Sequence, residues 1–361
     1  MIKVGFFSDQ VIYGGGESNL VRLAKSLSSL CAVTIVAPPG ALLDAAAANG
    51  IDTLTMQGVR SRWLKGLPIA WGGDKRILDN FDIVHAYSLH VLPFLLGHPR
   101  LFWTVHGPWE KPWGLRAKVI ARYVKKAIAV SRDVARSCSF PSEKLAVVPL
   151  GAVRNADCLT FPDETKTLHD VETLNIGVLG RIQRVKGQDI AIDAVLGLAK
   201  QNPTRSFRLH FGGSVDLSSQ QDKEYQRELE KRASICVAVP NISIVWHGFI
   251  KEPTAFIDSM DLILVPSRYE SFSMVLVEAL SRGKLAIAPE IGGPAEIIST
   301  LSVGQKFEAG SANSLMQSLQ YSISDLRYNP SRIVERARDF TIESQSAAIW
   351  KIYGQVSAGD V

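Results

Sequence analysis

The strongest constraint on this chain is an alternation that runs through it twice: short apolar runs rich in β-branched residues, each followed by an amphipathic stretch. Strands that are apolar along their whole length are buried on both faces, and helical crossovers between them impose a parallel sheet. In the first half the runs fall at 3–8, 33–37, 82–86, 102–105, 127–130 and 146–148, with helical patterns at 17–30 and 115–126. Residues 150–173 lose the periodicity and turn polar, which marks a linker. The pattern then restarts, with strands expected at 174–180, 208–212, 242–246, 262–266 and 285–288 and helices near 188–201, 271–282 and 311–324. Asn202-Pro203 stops the first of these helices, since proline disfavours a helical residue before it. Beyond Asn329 only helical patterns remain. The expected class is α/β: two Rossmann-like, doubly wound parallel-sheet domains facing a central cleft, with ligands outside the carboxyl ends of the strands. The expected limits are 1–160 and 161–340, with a final helix at 341–361 that packs back on the first domain.

Composition narrows the classes further. With 46% hydrophobic and 21% charged residues, the 361-residue chain can fill two cores, which excludes disorder, coiled coil and collagen. No apolar run reaches the ~18–20 residues of a membrane span. Even residues 82–98 are interrupted by His85, His90, Pro93 and His98. The start, MIKVGFFSDQ, lacks the charged region, long apolar stretch and cleavage site of a secretory signal. Cys31, Cys138, Cys158 and Cys236 lie far apart, with no C-x-x-C and no zinc-like histidine spacing. Disulfides and a structural metal are therefore not expected, and a reducing cytoplasm fits. A net charge of +5 is too diffuse to argue for a nucleic acid partner.

Three loops carry chemistry. The first runs from strand 3–8 through Tyr13-Gly14-Gly15-Gly16-Glu17 into a helix, and offers unhindered N–H groups to a phosphate. A tight βα turn is the plainer reading, and the spacing is not G-x-G-x-x-G. In the second, Arg181 and Lys186 stand five apart in GRIQRVKG, and can converge on a diphosphate as a fork and a point charge. Solvated loop charges are the alternative. In the third, Glu270 and Glu278 stand eight apart in ESFSMVLVE, roughly 80° around a helix at about 100° per residue. Carboxylates accept bidentately from the vicinal hydroxyls of sugars and riboses. Favourable helix-terminal charge is the alternative for Glu270 and solvation for Glu278, although the apolar neighbours of Glu278 make an unpartnered carboxylate costly there. His106, in TVHG, ends one strand and His85 ends the one before it; a buried histidine without a catalytic task is the alternative for both.

In order, the blocks GGGE, FDIVHA, TVHG, GR-x4-KG, E-x7-E and PEIGGPAEII resemble those of retaining nucleotide-sugar glycosyltransferases of the GT-B fold, glycosyltransferase family 4 (glycosyl transferases group 1). The resemblance spans nearly the whole chain, and GRIQRVKG and ESFSMVLVEALSRG are its most specific parts. It implies that Gly15 and Gly16 close over the diphosphate, and that Arg181 and Lys186 hold it. It assigns Glu270, with the backbone near Ser271 and Phe272, to donor-sugar hydroxyls, Glu278 to the ribose and His106 to the transferred sugar. Two departures stand out. Arg184 and Val185 replace a common proline and glutamate, and Ser273 replaces the glycine usual after E-x-F.

The implied activity moves a hexose-type sugar from a nucleoside diphosphate sugar to a hydroxyl of a glycan, lipid-linked or small-molecule acceptor, with retention, as in polysaccharide biosynthesis. No cofactor is implied. Since no D-x-D occurs, no metal site is expected either. A GT-B nucleotide-sugar epimerase is the alternative function. A dehydrogenase is disfavoured by the missing dinucleotide fingerprint, and a mere binding module by the retained charges. Residues 109–126, opening at Trp109 and closing with Lys125 and Lys126, mix aromatics with cations. They form a candidate peripheral contact with an anionic membrane, with an ordinary packing helix as the alternative. Residues 59–73 repeat this flavour in a glycine-rich, loop-like setting.

Overall fold

The computed structural model describes residues 1–10, 13–64, 67–110 and 114–357. The chain forms two compact units, Met1–Gly151 with Thr341–Val361, and Ala152–Phe340.

The strands of the first unit are β1 (Lys3–Phe7), β2 (Ala32–Ala37), β3 (Asp52–Thr55), β4 (Arg60–Leu64), β5 (Leu67–Trp71), β6 (Ile83–Ala86), β7 (Leu101–Val105), β8 (Val124–Ala129) and β9 (Leu145–Val147). Its helices are α1 (Gly15–Leu27), α2 (Ala41–Ala48), α3 (Leu92–Leu95), α4 (Gly114–Tyr123) and α5 (Arg132–Ser137). Seven strands make one sheet in the order β3-β2-β1-β6-β7-β8-β9, every pairing parallel. The order reverses between β1 and β6, so the loops leaving these two strands meet at a topological switch point. β6 (IVHA) and β7 (LFWTV) are buried at every residue, as continuous apolar runs in a covered parallel sheet should be.

The second unit contains β10 (Lys166–Thr167), β11 (Thr173–Leu179), β12 (Ser206–Gly212), β13 (Ile242–Gly248), β14 (Leu262–Leu264), β15 (Leu285–Pro289), β16 (Gln305–Phe307) and β17 (Arg327–Tyr328). With them come α6 (Gln188–Gln201), α7 (Gln220–Cys236), α8 (Pro253–Asp258), α9 (Met274–Ser281), α10 (Gly292–Ile297), α11 (Ala312–Ser324) and α12 (Pro330–Ala337). Six strands pair in parallel in the order β13-β12-β11-β14-β15-β16, with the reversal between β11 and β14. The last helix, α13 (Ile342–Ser357), belongs to the first unit and packs on α1. There Ile349, Ile352 and Tyr353 join the core of Phe6, Leu20 and Phe102.

Three expectations need correction. The helix expected at 115–126 ends at Tyr123, and Lys125 and Lys126 lie in β8. β7 supplies a ladder for that segment, pairing Phe102 with Lys126 and Trp103 with Ala127, and the ladder overrides the helical spacing of the cations. The loop-like stretch 59–73 contains an antiparallel hairpin, β4 with β5, pairing Arg60 with Trp71 and Leu64 with Leu67. The polar stretch 150–173 carries β10, paired antiparallel with β17.

Candidate active site

In the second unit the switch-point loops follow β11 and β14, and they carry the two charge motifs. The β11 loop runs through a 3₁₀ turn, Arg184–Lys186, into α6. Gly187 makes this path possible. Its φ of 68° is left-handed, and a Cβ there would stand 2.0 Å from the Pro266 carbonyl. The loops therefore touch, and Lys186 Nζ donates to Glu270 Oε1 at 2.6 Å. Ser267 Oγ donates to the same oxygen at 2.8 Å, and both Lys186 and Glu270 are largely buried. The Glu270 carbonyl accepts from Gly293 N at 3.0 Å, so the start of α10 braces the loop from the far side.

Around this pair lies a second set of charges that fixes the loops. Arg268 forks onto Asp189 with N···O distances of 2.9 and 2.7 Å, and donates again to the Arg184 carbonyl at 2.7 Å. The Tyr225 hydroxyl, on α7, donates to Asp189 at 2.6 Å. Burial works against the Asp189 charge, but the Arg268 fork and Tyr225 outweigh it and hold the carboxyl below its usual range. Arg184 pairs with Glu228 of α7 and lies over the Tyr225 ring. Arg181 differs from its neighbours: it is exposed, and no ion pair ties it to the described residues. Thus Arg181 is open to an anion and Lys186 is already paired, while Arg184 serves α7.

The remaining residues of the motif sit on α9 or just before it. Ser271 and Phe272 are buried, and the Ser271 hydroxyl has no hydrogen-bond partner among the described residues. Phe272 packs edge-on against Phe340, with ring centroids 5.7 Å apart. Glu278 is half-buried on α9. Among the described residues, no group of three or more His, Cys, Asp or Glu is arranged to hold a metal ion.

In the first unit Gly15 and Gly16 open α1, with Gly14 N bonded to Glu17 Oε2 at 3.0 Å and open space above Gly16. His106 follows β7. Its ring bonds the Tyr87 backbone and packs edge-on against the Tyr87 ring at 4.5 Å, while Nε2 is buried without a hydrogen-bond partner among the described residues. Burial pushes the imidazole down to about 4, so it is neutral at physiological pH. His85 belongs to the core. It is fully buried between the Tyr353 hydroxyl at 2.6 Å and Thr104 Oγ1 at 2.8 Å, and burial lowers it to about 3.

Sequence reasoning missed two residues here. Glu110 is a buried carboxyl accepting from His106 N at 2.6 Å and Leu89 N at 2.9 Å. Its signal was visible, as the single acid in the basic segment after TVHG. Arg268 had a fainter one, a cation two residues before Glu270. Of the basic segment itself, Trp109, Leu115, Lys118, Arg122 and Tyr123 are exposed, whereas Lys126 Nζ is committed to the Glu143 carbonyl at 2.6 Å. Trp113 lies outside the described residues.

Two parallel doubly wound sheets, with a conjoined lysine–glutamate pair at one switch point, define a GT-B glycosyltransferase architecture. The family models agree: residues 162–340 match glycosyl transferases group 1, and residues 13–153 match glycosyltransferase family 4. The chain belongs to this family of glycosyltransferases. Over 200 residues it is 25% identical to D-inositol 3-phosphate glycosyltransferase of Corynebacterium aurimucosum, covering 53% of this chain and 45% of that one. Over 186 residues it is 22% identical to the lipopolysaccharide core biosynthesis mannosyltransferase LpcC of Rhizobium leguminosarum bv. viciae, covering 50% and 51%. The chain thus spans about half the length of the curated relatives it matches. Among solved structures it shares its fold with Anabaena Alr3699/HepE in complex with UDP and glucose, at a TM-score of 0.72 and 18% identity over 99% of each chain. It also shares it with a glycosyltransferase from Rickettsia africae, at a TM-score of 0.75 and 20% identity over 98% of each. Three of these four names are of transferases, and the epimerase reading is not favoured.

Proposed function

We propose that the protein transfers a hexose-type sugar from a nucleoside diphosphate sugar to a hydroxyl of a glycan, lipid-linked or small-molecule acceptor, with retention at the anomeric carbon. The observation that carries this is the contact of Lys186 with Glu270 across the two switch-point loops, with Arg181 open beside them. A sugar diphosphate presents one group for each. Its phosphates suit Arg181 and Lys186, and its sugar hydroxyls suit the Glu270 carboxylate. As the glycosidic bond breaks, negative charge grows on the β-phosphate. Cations held there in advance stabilise that charge more than they stabilise the bound donor. Glu278 is assigned to the ribose, Ser271 and Phe272 to the phosphate and sugar through their backbone, and Gly15 and Gly16 to the diphosphate. His106, neutral as it is, is assigned to a sugar hydroxyl. Among the described residues no carboxylate nucleophile is evident, so we assign a front-side route in which the departing phosphate accepts the acceptor's proton. The relatives' names, an inositol phosphate and a lipopolysaccharide core, support an acceptor of the same breadth.

We assign the diphosphate charge to Arg181, Lys186 and backbone N–H groups without a metal, because the sequence offers no D-x-D. The deciding experiment is a thermal-shift screen of UDP, GDP, TDP and ADP sugars, since a ligand that binds only the folded state raises the midpoint. The stabilising donor is then carried into NMR of the product's anomeric centre with and without EDTA. No stabilisation by any of the four would refute the reading, and so would inversion or dependence on a divalent ion for its finer parts. We propose a peripheral contact with an anionic membrane through the exposed Trp109, Leu115, Lys118, Arg122 and Tyr123, and co-sedimentation of Lys118→Gln/Arg122→Gln with anionic vesicles tests it. Unchanged sedimentation argues for a packing helix.

A further inference from the structure

Glu110 has no task in the proposed transfer, yet its surroundings are unusual. Its side chain is buried in a segment otherwise rich in cations, and none of those cations pairs with it among the described residues. Instead each oxygen takes one backbone amide, Oε2 from His106 and Oε1 from Leu89. Those amides belong to different loops, one leaving β7 and one leaving β6. The same loops make the seat of the imidazole. Tyr87, two residues before Leu89, gives the His106 ring its hydrogen-bonded backbone and its edge contact. Tyr87 is anchored in turn by its hydroxyl, which donates to the buried Asn19 of α1.

We propose that Glu110 is a positioning residue for His106: by accepting the amide hydrogens of both Leu89 and His106, its carboxylate fixes the two loops that set where the imidazole sits. A carboxylate suits this because it is acceptor-only at both oxygens. An amide in its place would present an NH₂ to one of the two N–H donors. The proposal rests on the assignment of His106 to the transferred sugar. Burial raises the carboxyl to about 7, and two amide bonds oppose that rise. The titratable group whose charge reaches it is Asp9, in the loop after β1, while His106 meets it through its backbone amide. Near pH 8 the group is therefore charged and holds both loops, and toward pH 6 it takes a proton and gives up part of one contact.

The test compares the parent with Glu110→Gln. Amide exchange at Leu89 and His106, read by NMR at pH 8, is expected to quicken by about tenfold or more as the tether opens. Turnover is expected to fall about tenfold to a hundredfold, the usual cost of a small misplacement, with affinity for the nucleoside diphosphate unchanged. The parent's fall in activity from pH 8 to pH 6 should be absent from the variant. Parent-like exchange at both amides overturns the tether, and faster exchange with unchanged turnover overturns the positioning role. A parent that moves no sugar refutes the proposed function instead. In that case the His106 ring ¹⁵N resonances decide, a shift in the variant supporting the proposal and no shift overturning it. If Glu110→Gln does not fold, Glu110→Asp, which is too short to reach both amides, takes its place in the exchange, turnover and ¹⁵N arms.

Discussion

The two units share one strand order but hold their polar groups in opposite ways. At its switch point the first unit buries mostly neutral partners, the Glu110 carboxyl being the exception. Asn19 Nδ2 donates to the Gly151 carbonyl and to Gln345 Oε1, both at 2.8 Å, and Gln345 Oε1 also accepts from Gly151 N at 2.7 Å. His85 and His106 stay uncharged beside them. The second unit pairs full charges, from the largely buried Lys186 with Glu270 and Arg268 with Asp189 to the more exposed Arg184 with Glu228. Neutral groups fix a shape that does not respond to an arriving anion. Paired charges on a loop can exchange partners, as a loop receiving a diphosphate must. The contrast predicts that mutations in the second unit change turnover first, and that changes of pH act first on the first unit.

The largest effect expected is at Lys186. Lys186→Ala should lower kcat by ~10²–10³, or about 3–4 kcal/mol of transition-state stabilisation. It also strands Glu270 with only Ser267, so the melting temperature should drop by a few degrees. Arg181→Ala should match the kinetic loss with no thermal cost, because no ion pair ties Arg181 to the described fold. Kinetics and melting curves on both variants sharpen the comparison. If Lys186→Ala melts early with kcat intact, its pairing with Glu270 is structural.

Next comes Arg268→Ala. It removes both forked bonds to Asp189 and the bond to the Arg184 carbonyl, and leaves a buried carboxylate with the Tyr225 hydroxyl. Hydrogen bonds to charged groups contribute about 1.5–3 kcal/mol. A loss near 2 kcal/mol would lower the melting temperature by roughly 4–8 °C. Scanning calorimetry checks this, and a shift below a degree would show that α7 holds the loop without Arg268.

Much of this second site is legible in the amino-acid sequence. Charges announce themselves there, and GRIQRVKG and ESFSMVLVE place Arg181, Lys186, Glu270 and Glu278 on loops and a helix beside β11 and β14. What stays hidden is the pairing, because partners such as Lys186 and Glu270 lie 84 residues apart. The first unit is harder. His85 and His106 end adjacent strands in the same way, and only burial separates a core histidine from a candidate site residue. The helix α7 escapes notice for a different reason. Its apolar stripe is thin, Tyr225 and Leu229 in a run of charges, so amphipathic spacing barely shows. β4 and β5 sit where basic and glycine residues suggest a loop, and their ladder is a local pairing that composition does not register.

Acid should separate the units by a smaller margin, through His85. This residue is neutral when folded, with its imidazole depressed to about 3, whereas the unfolded chain takes a proton near its ordinary value of about 6.5. The unfolded state therefore binds more protons in acid, and the stability due to neutral His85 is complete above that value and lost as pH falls. Between pH 8 and pH 5 the loss is about 2 kcal/mol, at ~1.4 kcal/mol per unit. Glu110 acts in the opposite sense. Its raised carboxyl is disfavoured as an anion, so its contribution declines as pH rises through about 7. The parent's own curve mixes the two. The measurement is therefore the difference between parent and His85→Gln in urea melts at pH 8 and pH 5, which should change by about 2 kcal/mol in favour of the variant in acid. A constant difference would mean that His85 can accept a proton where it stands.

The smallest effect expected is at Ser273, which stands where the motif this segment resembles has glycine. Ser273 has φ 93°, the only non-glycine residue with positive φ among the described residues, and it stands at the N-cap of α9. A left-handed backbone costs a side-chain-bearing residue roughly 1–2 kcal/mol, which is why glycine is at home there. In return the Ser273 hydroxyl accepts from Leu276 N, but at 3.4 Å this cap is weak, and replacing a serine cap by glycine costs only a few tenths of a kcal/mol. Glycine also gives the unfolded chain more freedom, which returns about 0.4–1 kcal/mol of the gain. The three terms nearly cancel, so Ser273→Gly should stay within about 0.5 kcal/mol of the parent, and Ser273→Ala, which loses the cap and keeps the backbone cost, should fall by about 1 kcal/mol. Paired thermal melts distinguish them. A loss of several degrees in Ser273→Gly would show that the hydroxyl does more than cap α9.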